Sequence, residues 1–275
     1  MSIRIIVDST ADLPAQIRRQ VDVVHLTIQF GEEEYIDGVT IDSKMFYEKL
    51  IESDVLPTTS QATPFAFEEA FRKAVEEGHE VVAIVVSGAL SGTCQSANIA
   101  AADYPGKVFV VDSRSIAIGS AILAEYALQL RDKGLGAAEI VRELDAVKEK
   151  VRLFAVVDTL EFLQRGGRVS KTVAIAGGML SVKPLIGLED GSIKMMGKAR
   201  GNKQANALMD EKITQLGVDW DKPCMLGYTG ISDELLRKYR DQSGIWTGDV
   251  YGSTVSGVVG THAGPGAVAV AFFAK

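Results

Sequence analysis

The sequence predicts an α/β protein of two domains: a mainly parallel sheet over residues 1–150, then a smaller mixed-sheet α/β domain over residues 151–275. Three observations carry this expectation. Short β-branched runs alternate with helical patterns through the first two-thirds of the chain. A hairpin signature opens the last third, where strand and helix signals follow in a different order. A chain of 275 residues, 47% of them apolar, is also long enough to bury a sizeable core.

Taken in order, Ile3–Val7, Val81–Val86 and Val108–Val111 read as strands, each ending in a polar or glycine-containing loop. Thr63 reads as an N-cap with Pro64 at the first helical position. Phe67, Ala70, Phe71, Ala74 and Val75 mark the buried face of that helix, and Gly78 closes it. A second helix reaches from Ser96 through Ala100. Ser120–Lys133 and Ala137–Lys150 are further helices, the latter with Ile140, Val141, Leu144 and Val147 on one stripe. Gly187–Met196 reads as a hairpin turning at Glu189-Asp190-Gly191-Ser192. Asn206–Leu216 and Asp233–Gln242 read as helices, and Cys224–Tyr228 and Val268–Phe273 as strands. Asp8-Ser9-Thr10, Asp112-Ser113 and Asp158-Thr159 each follow an aliphatic run. Helix capping accounts for any one of them, but together they point to strand carboxyl ends, the ligand edge of open α/β sheets.

Composition excludes several classes of function. With 29 Lys+Arg against 36 Asp+Glu the net charge is −7, which disfavours nucleic-acid binding. The longest aliphatic stretch, Val81–Val86, is far short of the roughly 18 residues a spanning helix needs, so no stable membrane insertion is expected. Met1 leads straight into the first strand-like run, so no signal peptide and a cytoplasmic location are expected. Cys94 and Cys224 give neither metal spacing nor a disulfide framework. No nucleotide loop, nucleophile elbow or paired-histidine motif occurs; His25 reads as a strand residue and His79 as an exposed neighbour of a helix end. One segment breaks the acidic average. Residues 164–203 carry Arg165, Arg168, Lys171, Lys183, Lys194, Lys198, Arg200 and Lys203 against Glu189 and Asp190, a window of +6 that faces solvent, an anion or an acidic partner.

What remains is a set of hydroxyl-rich loops. Thr58-Thr59-Ser60-Gln61 precedes the Thr63-capped helix, and Ser87-Gly88-Ala89-Leu90-Ser91-Gly92-Thr93 joins a strand to a helix. Unpaired N–H groups beside hydroxyls at a helix start make a site of neutral donors for one carboxylate or phosphate. Gly260-Thr261-His262-Ala263-Gly264-Pro265-Gly266 reads as a Gly-rich loop whose imidazole can adjust a ligand's protonation or hold a water.

Read in register, these loops join Val7-Asp8-Ser9-Thr10-Ala11-Asp12-Leu13-Pro14 and Arg165-Gly166-Gly167-Arg168-Val169-Ser170, and the whole chain resembles the DegV family. It departs from the usual wording at Gly88, where a Ser is common, at Ala62, where a Pro is, and at Cys94, where a Tyr is. The resemblance implies one long-chain fatty acid enclosed between the domains as ligand, with no cofactor, no metal and no catalysis by the chain itself. It implies Thr59 and Ser91 on the carboxylate and His262 beside it. Ser60, Thr93, Arg168 and Arg200 are implied as further head-group or partner contacts. As partner it implies a separate dihydroxyacetone-kinase-like fatty acid kinase that converts the acid to an acyl phosphate, with Arg168, Arg200 and Lys203 at the rim. Two other readings stay open. One is an acyl hydrolase with Ser91 as nucleophile, His262 as base and Asp8 or Asp112 as orienter. The other is a carrier of a different amphipathic anion, such as an acyl or isoprenoid phosphate. Phe30, Phe109, Met179 and Leu185 are equally suited to a tail wall or to the core.

Overall fold

The structure, a computed structural model, describes residues 2–169, 181–246 and 250–275. The chain begins with β1 (Ile3–Asp8), α1 (Ala15–Arg18), β2 (Asp22–Val24), β3 (Thr27–Phe30), β4 (Glu33–Ile36), α2 (Ser43–Glu52) and β5 (Thr58–Ser60). It continues through α3 (Pro64–Glu76), β6 (Glu80–Val85), α4 (Thr93–Ala101), β7 (Val108–Asp112), α5 (Ile118–Asp132) and α6 (Ala137–Val147). From β8 (Val151–Val156) it passes through α7 (Glu161–Arg165), β9 (Val182–Glu189), β10 (Ser192–Arg200) and α8 (Gly201–Leu216). It ends with β11 (Met225–Tyr228), α9 (Glu234–Ser243), β12 (Tyr251–Thr254), α10 (Gly257–Ala263) and β13 (Val268–Phe273).

These strands form an α/β fold with three sheets. Four parallel strands lie in the order β2-β1-β6-β7. A small antiparallel sheet, β4-β3-β5, stands beside them. The mixed sheet, β10-β9-β8-β13-β11-β12, is antiparallel throughout except for the β11–β12 pair. It draws all its strands from Val151 onward and has more of them than the parallel sheet.

Local chemistry explains the main elements. Every residue of β6 from Val81 to Val85 is buried, as a strand covered on both faces requires. Thr63 Oγ1 accepts the Ala66 N–H and Pro64 opens α3, which turns Phe67, Phe71 and Ala74 inward. The β9–β10 turn puts Asp190 and Gly191 at positive φ, 49° and 72°, the left-handed pair of a two-residue hairpin. Helix α5 is buried on nearly every side because it is shared: it packs on β1 and β6 and also on β8, β11 and β13. One core therefore joins Ile5 and Val7 to Ala269, Ala271 and Phe273. Strands β8 and β13 alternate faces. Phe154, Val156, Val268, Val270 and Phe272 pack in the core that Met209 of α8 and Tyr239 of α9 complete, so the odd-numbered residues face the other way.

Several elements differ from the sequence expectation. His25 lies between β2 and β3, outside both strands, because its Nδ1 hydrogen-bonds the Asp37 carbonyl at 2.6 Å. His79 is half-buried through a hydrogen bond to Ser2 Oγ. Thr58–Ser60 is a strand paired with β3, and α8 starts at Gly201, ahead of Asn206. The first part of the segment 260–266 is helical, so His262 sits in the last turn of α10 and not in a loop.

Candidate functional site

The carboxyl ends of the parallel strands and the inner face of the mixed sheet line a cavity of about 240 Å³. This is where open α/β sheets take ligands. Leu153 and Ala155 of β8, Ala269 of β13, and Ile186 and Ile193 of the hairpin supply apolar wall. Thr59, Ser60, Gln61, Ser91, Arg168 and His262 line it as polar groups.

The loop carrying Ser91 is fixed from both flanking strands by one device used twice. Asp8, at the end of β1, accepts the N–H of Thr10 through Oδ1 (2.9 Å) and of Val86 through Oδ2 (2.6 Å). Asp112, at the end of β7, accepts the N–H of Arg114 through Oδ1 (2.8 Å) and of Gly88 through Oδ2 (3.2 Å). Each carboxylate thus closes its own turn and ties down the neighbouring loop. Burial raises the Asp8 pKa, partly offset by its bonds to Thr10 and Val86. Within the loop, Ser91 Oγ accepts the Thr93 N–H (3.2 Å) and shares a 2.9 Å bond with Thr93 Oγ1, which accepts the Ala62 N–H (3.3 Å). Gly92 leaves room for the Gln61 side chain, whose amide donates to Ser96 Oγ at 3.1 Å.

Helix α10 brings the histidine. Two buried carboxylates hold its start, Asp12 accepting the Ser256 N–H (2.8 Å) and Asp37 the Gly257 N–H (3.1 Å). Burial raises both carboxyls, that of Asp37 to about 6. Gly257 and Gly260 let the helix approach Phe46 and Tyr47 of α2 closer than any side chain would allow. At its other end His262 Nε2 meets Thr59 Oγ1 at 3.0 Å. Burial, with the Arg168 guanidinium nearby, pushes the imidazole down to about 4, so it is neutral at physiological pH. Arg168 completes the patch: Nε donates to the Leu90 carbonyl (3.3 Å) and Nη1 to the Gly166 carbonyl, while Gly166 lies against the His262 ring. Thr59, His262, Gly166, Arg168, Leu90 and Ser91 are therefore linked neighbours, and all but Gly166 line the cavity.

The family profile described as "Uncharacterised protein, DegV family" matches residues 2–275. The chain belongs to the DegV family. A DegV domain-containing protein of Deinococcus radiodurans is 33% identical over 98% of both chains. Among solved structures, a fatty-acid-binding DegV family protein from Thermus thermophilus superposes with a TM-score of 0.90 at 30% identity over 100% of both chains. A stearic-acid-binding protein from Eubacterium ventriosum gives 0.87 at 26% identity, covering 100% of this chain and 99% of its own.

Against this DegV architecture the sequence expectations sort unevenly. Thr59, Ser60, Ser91, Arg168 and His262 share the cavity wall. Thr93 is fully buried behind Ser91 and supports it, and Arg200 stands exposed at the end of β10, away from the lining. Arg168 lines the cavity itself rather than only its rim. Ser170, Lys171 and Met179 lie outside the described residues. Phe30 and Leu185 are core, and Phe109 packs against the core shared by both sheets. The hydrolase constellation is not assembled. Among the described residues His262 Nε2 bonds Thr59 and its Nδ1 has no partner, and Asp8 and Asp112 hold backbone N–H groups, so neither carboxylate orients the ring toward Ser91. Among the described residues no helix is long and apolar enough to cross a membrane, and no three His, Cys, Asp or Glu side chains group as a metal site. Sequence reasoning missed the wall residues Leu153, Ala155 and Ala269, which no motif marks, and Gly166, visible only as part of a motif.

Proposed function

We propose that this protein is a carrier that holds one long-chain fatty acid in the cavity, its carboxylate on the hydroxyls of Thr59 and Ser91 with His262 behind Thr59. The observation that carries the reading is the joining of an apolar cavity to a patch of uncharged hydroxyl donors. Fatty acids are what the Thermus thermophilus and Eubacterium ventriosum proteins bind. The energetics agree. Burial contributes about 0.8 kcal/mol per methylene, so roughly fourteen methylenes supply on the order of 11 kcal/mol before ordering costs. The tail can carry the affinity, leaving the head group to be placed rather than gripped.

Neutral donors leave a carboxylate oxygen nucleophilic, where a bidentate guanidinium clamp would blunt it. This favours presentation of the acid, in the cytoplasm, to a separate dihydroxyacetone-kinase-like fatty acid kinase that forms the acyl phosphate. Arg168, on the same wall, would meet the incoming phosphate. The test is native mass spectrometry and lipid extraction of the purified protein. One long-chain fatty acid per chain is expected; an empty protein with no affinity for palmitate-length acids would sink the reading.

A further inference from the structure

We propose that Gly166 is a positioning residue: by seating the His262 imidazole against its bare Cα it fixes which ring nitrogen carries the proton, and so turns the Thr59 hydroxyl hydrogen toward the cavity, which favours an ionised head group. The inference rests on the carrier reading and adds the protonation state of the ligand that the site accepts.

The two glycines of Arg165-Gly166-Gly167-Arg168 exist for different reasons. Gly167 has a φ of +73° and nothing near its missing side chain, so its backbone conformation accounts for it. Gly166 has an ordinary φ of −71° that any residue adopts. A Cβ there would overlap His262 Nδ1, stand 2.8 Å from Cε1, and lie 3.3 Å from the Phe162 carbonyl oxygen. The side chain is absent to make room for the ring.

That packing has an electronic consequence. Nδ1 is buried and, among the described residues, has no hydrogen-bond partner. A proton on Nδ1 would be an orphaned buried N–H, whereas an unshared lone pair against Cα costs less. The proton therefore belongs on Nε2, where Thr59 Oγ1 accepts it at 3.0 Å. Thr59 must then aim its own hydrogen away from the ring, into the cavity it lines. The other arm can take the same polarity. The Ala62 N–H donates to Thr93 Oγ1, and with Thr93 as the donor of its hydroxyl pair with Ser91, the Ser91 hydrogen is left for the cavity. Two hydroxyl hydrogens aimed into the cavity suit an ionised carboxylate, which only accepts and takes both in charge-assisted bonds. A fatty alcohol offers one neutral oxygen and gains less from the same donors.

Imidazole 15N NMR of the wild-type protein with hexadecanoate bound tests the first step. His262 Nδ1 is expected to resonate as an unprotonated nitrogen and Nε2 as a protonated one; a proton on Nδ1 would overturn the proposal. The second step compares Gly166→Ala with wild type on hexadecanoate and hexadecanol. Expected is about a tenfold loss for the acid with less than about a twofold change for the alcohol. Equal losses, or an unaffected acid, would overturn it. Should the thermal melt show that Gly166→Ala does not fold, the wild-type spectrum decides alone. A wild type that binds neither ligand overturns the carrier reading as well, whereas one that binds the acid with the proton on Nδ1 overturns only the role of Gly166.

Discussion

The two sheets meet the cavity in different ways. The parallel sheet reaches it with its edge, through loops after β1, β6 and β7 held by Asp8 and Asp112, and contributes Thr10 and Ser91. The mixed sheet reaches it with a face, and contributes Leu153, Ala155, Ala269 and Ile186. An edge ends in unpaired backbone groups and turn residues, so it supplies polarity at fixed points. A face supplies alternate side chains and therefore smooth apolar wall. On the carrier reading the first places the head group and the second supplies the affinity.

Crowding the face should have the largest effect. Ala155→Phe is expected to displace several methylenes of a palmitate-length acid, each about 0.8 kcal/mol, and to weaken binding on the order of 100-fold, with octanoate affected far less. Titration calorimetry across chain lengths checks it; uniform weakening at every length would show that Ala155 does not meet the tail. Removing a head-group donor should cost less. Thr59→Val or Ser91→Ala is expected to lower acid affinity about tenfold while leaving the methyl ester near its wild-type value. Loosening the edge without touching ligand is expected to appear as stability. Asp8→Asn replaces an acceptor of the Val86 N–H by an amide and should destabilise the protein by about 1–3 kcal/mol in urea unfolding.

The smallest effect is a pair of opposed pH slopes from groups at the two ends of α10. Asp37 has its folded pKa raised from 3.8 to about 6, so the native state holds the extra proton and stability falls as pH rises through that window. His262 has its folded pKa lowered from 6.5 to about 4, so the unfolded state holds the extra proton and stability falls as pH drops through that window. The slope of melting temperature against pH for the ligand-free protein between pH 4 and 6.5 is expected to turn more positive in Asp37→Asn and more negative in His262→Leu. Slopes that change in the same direction in both variants would contradict the assignments.

The contrast between edge and face also explains what was legible in the sequence. Edge residues announce themselves, since Asp8-Ser9-Thr10 and Leu90-Ser91-Gly92-Thr93 are short, polar and bounded by aliphatic runs. Strong periodicity likewise gave away β1, β6, α3 and the β9–β10 hairpin. Face residues carry no such mark: Ala155 and Ala269 differ from their core neighbours only in which side of the sheet they point to, which depends on α8 and α9 packing opposite. Short strands stabilised by pairing rather than by pattern, such as Thr58–Ser60, were invisible for the same reason. His262 reads as a loop residue because glycines at 260, 264 and 266 suggest turns, whereas Gly260, with Gly257, allows close packing of a helix on Phe46 and Tyr47.

A crystal structure with palmitate bound tests the division of labour most directly. The account predicts the carboxylate within hydrogen-bond distance of both Thr59 and Ser91 Oγ atoms, and the chain running along Ala155 and Ala269. A carboxylate gripped bidentately by Arg168, or a chain lying outside this cavity, would contradict it.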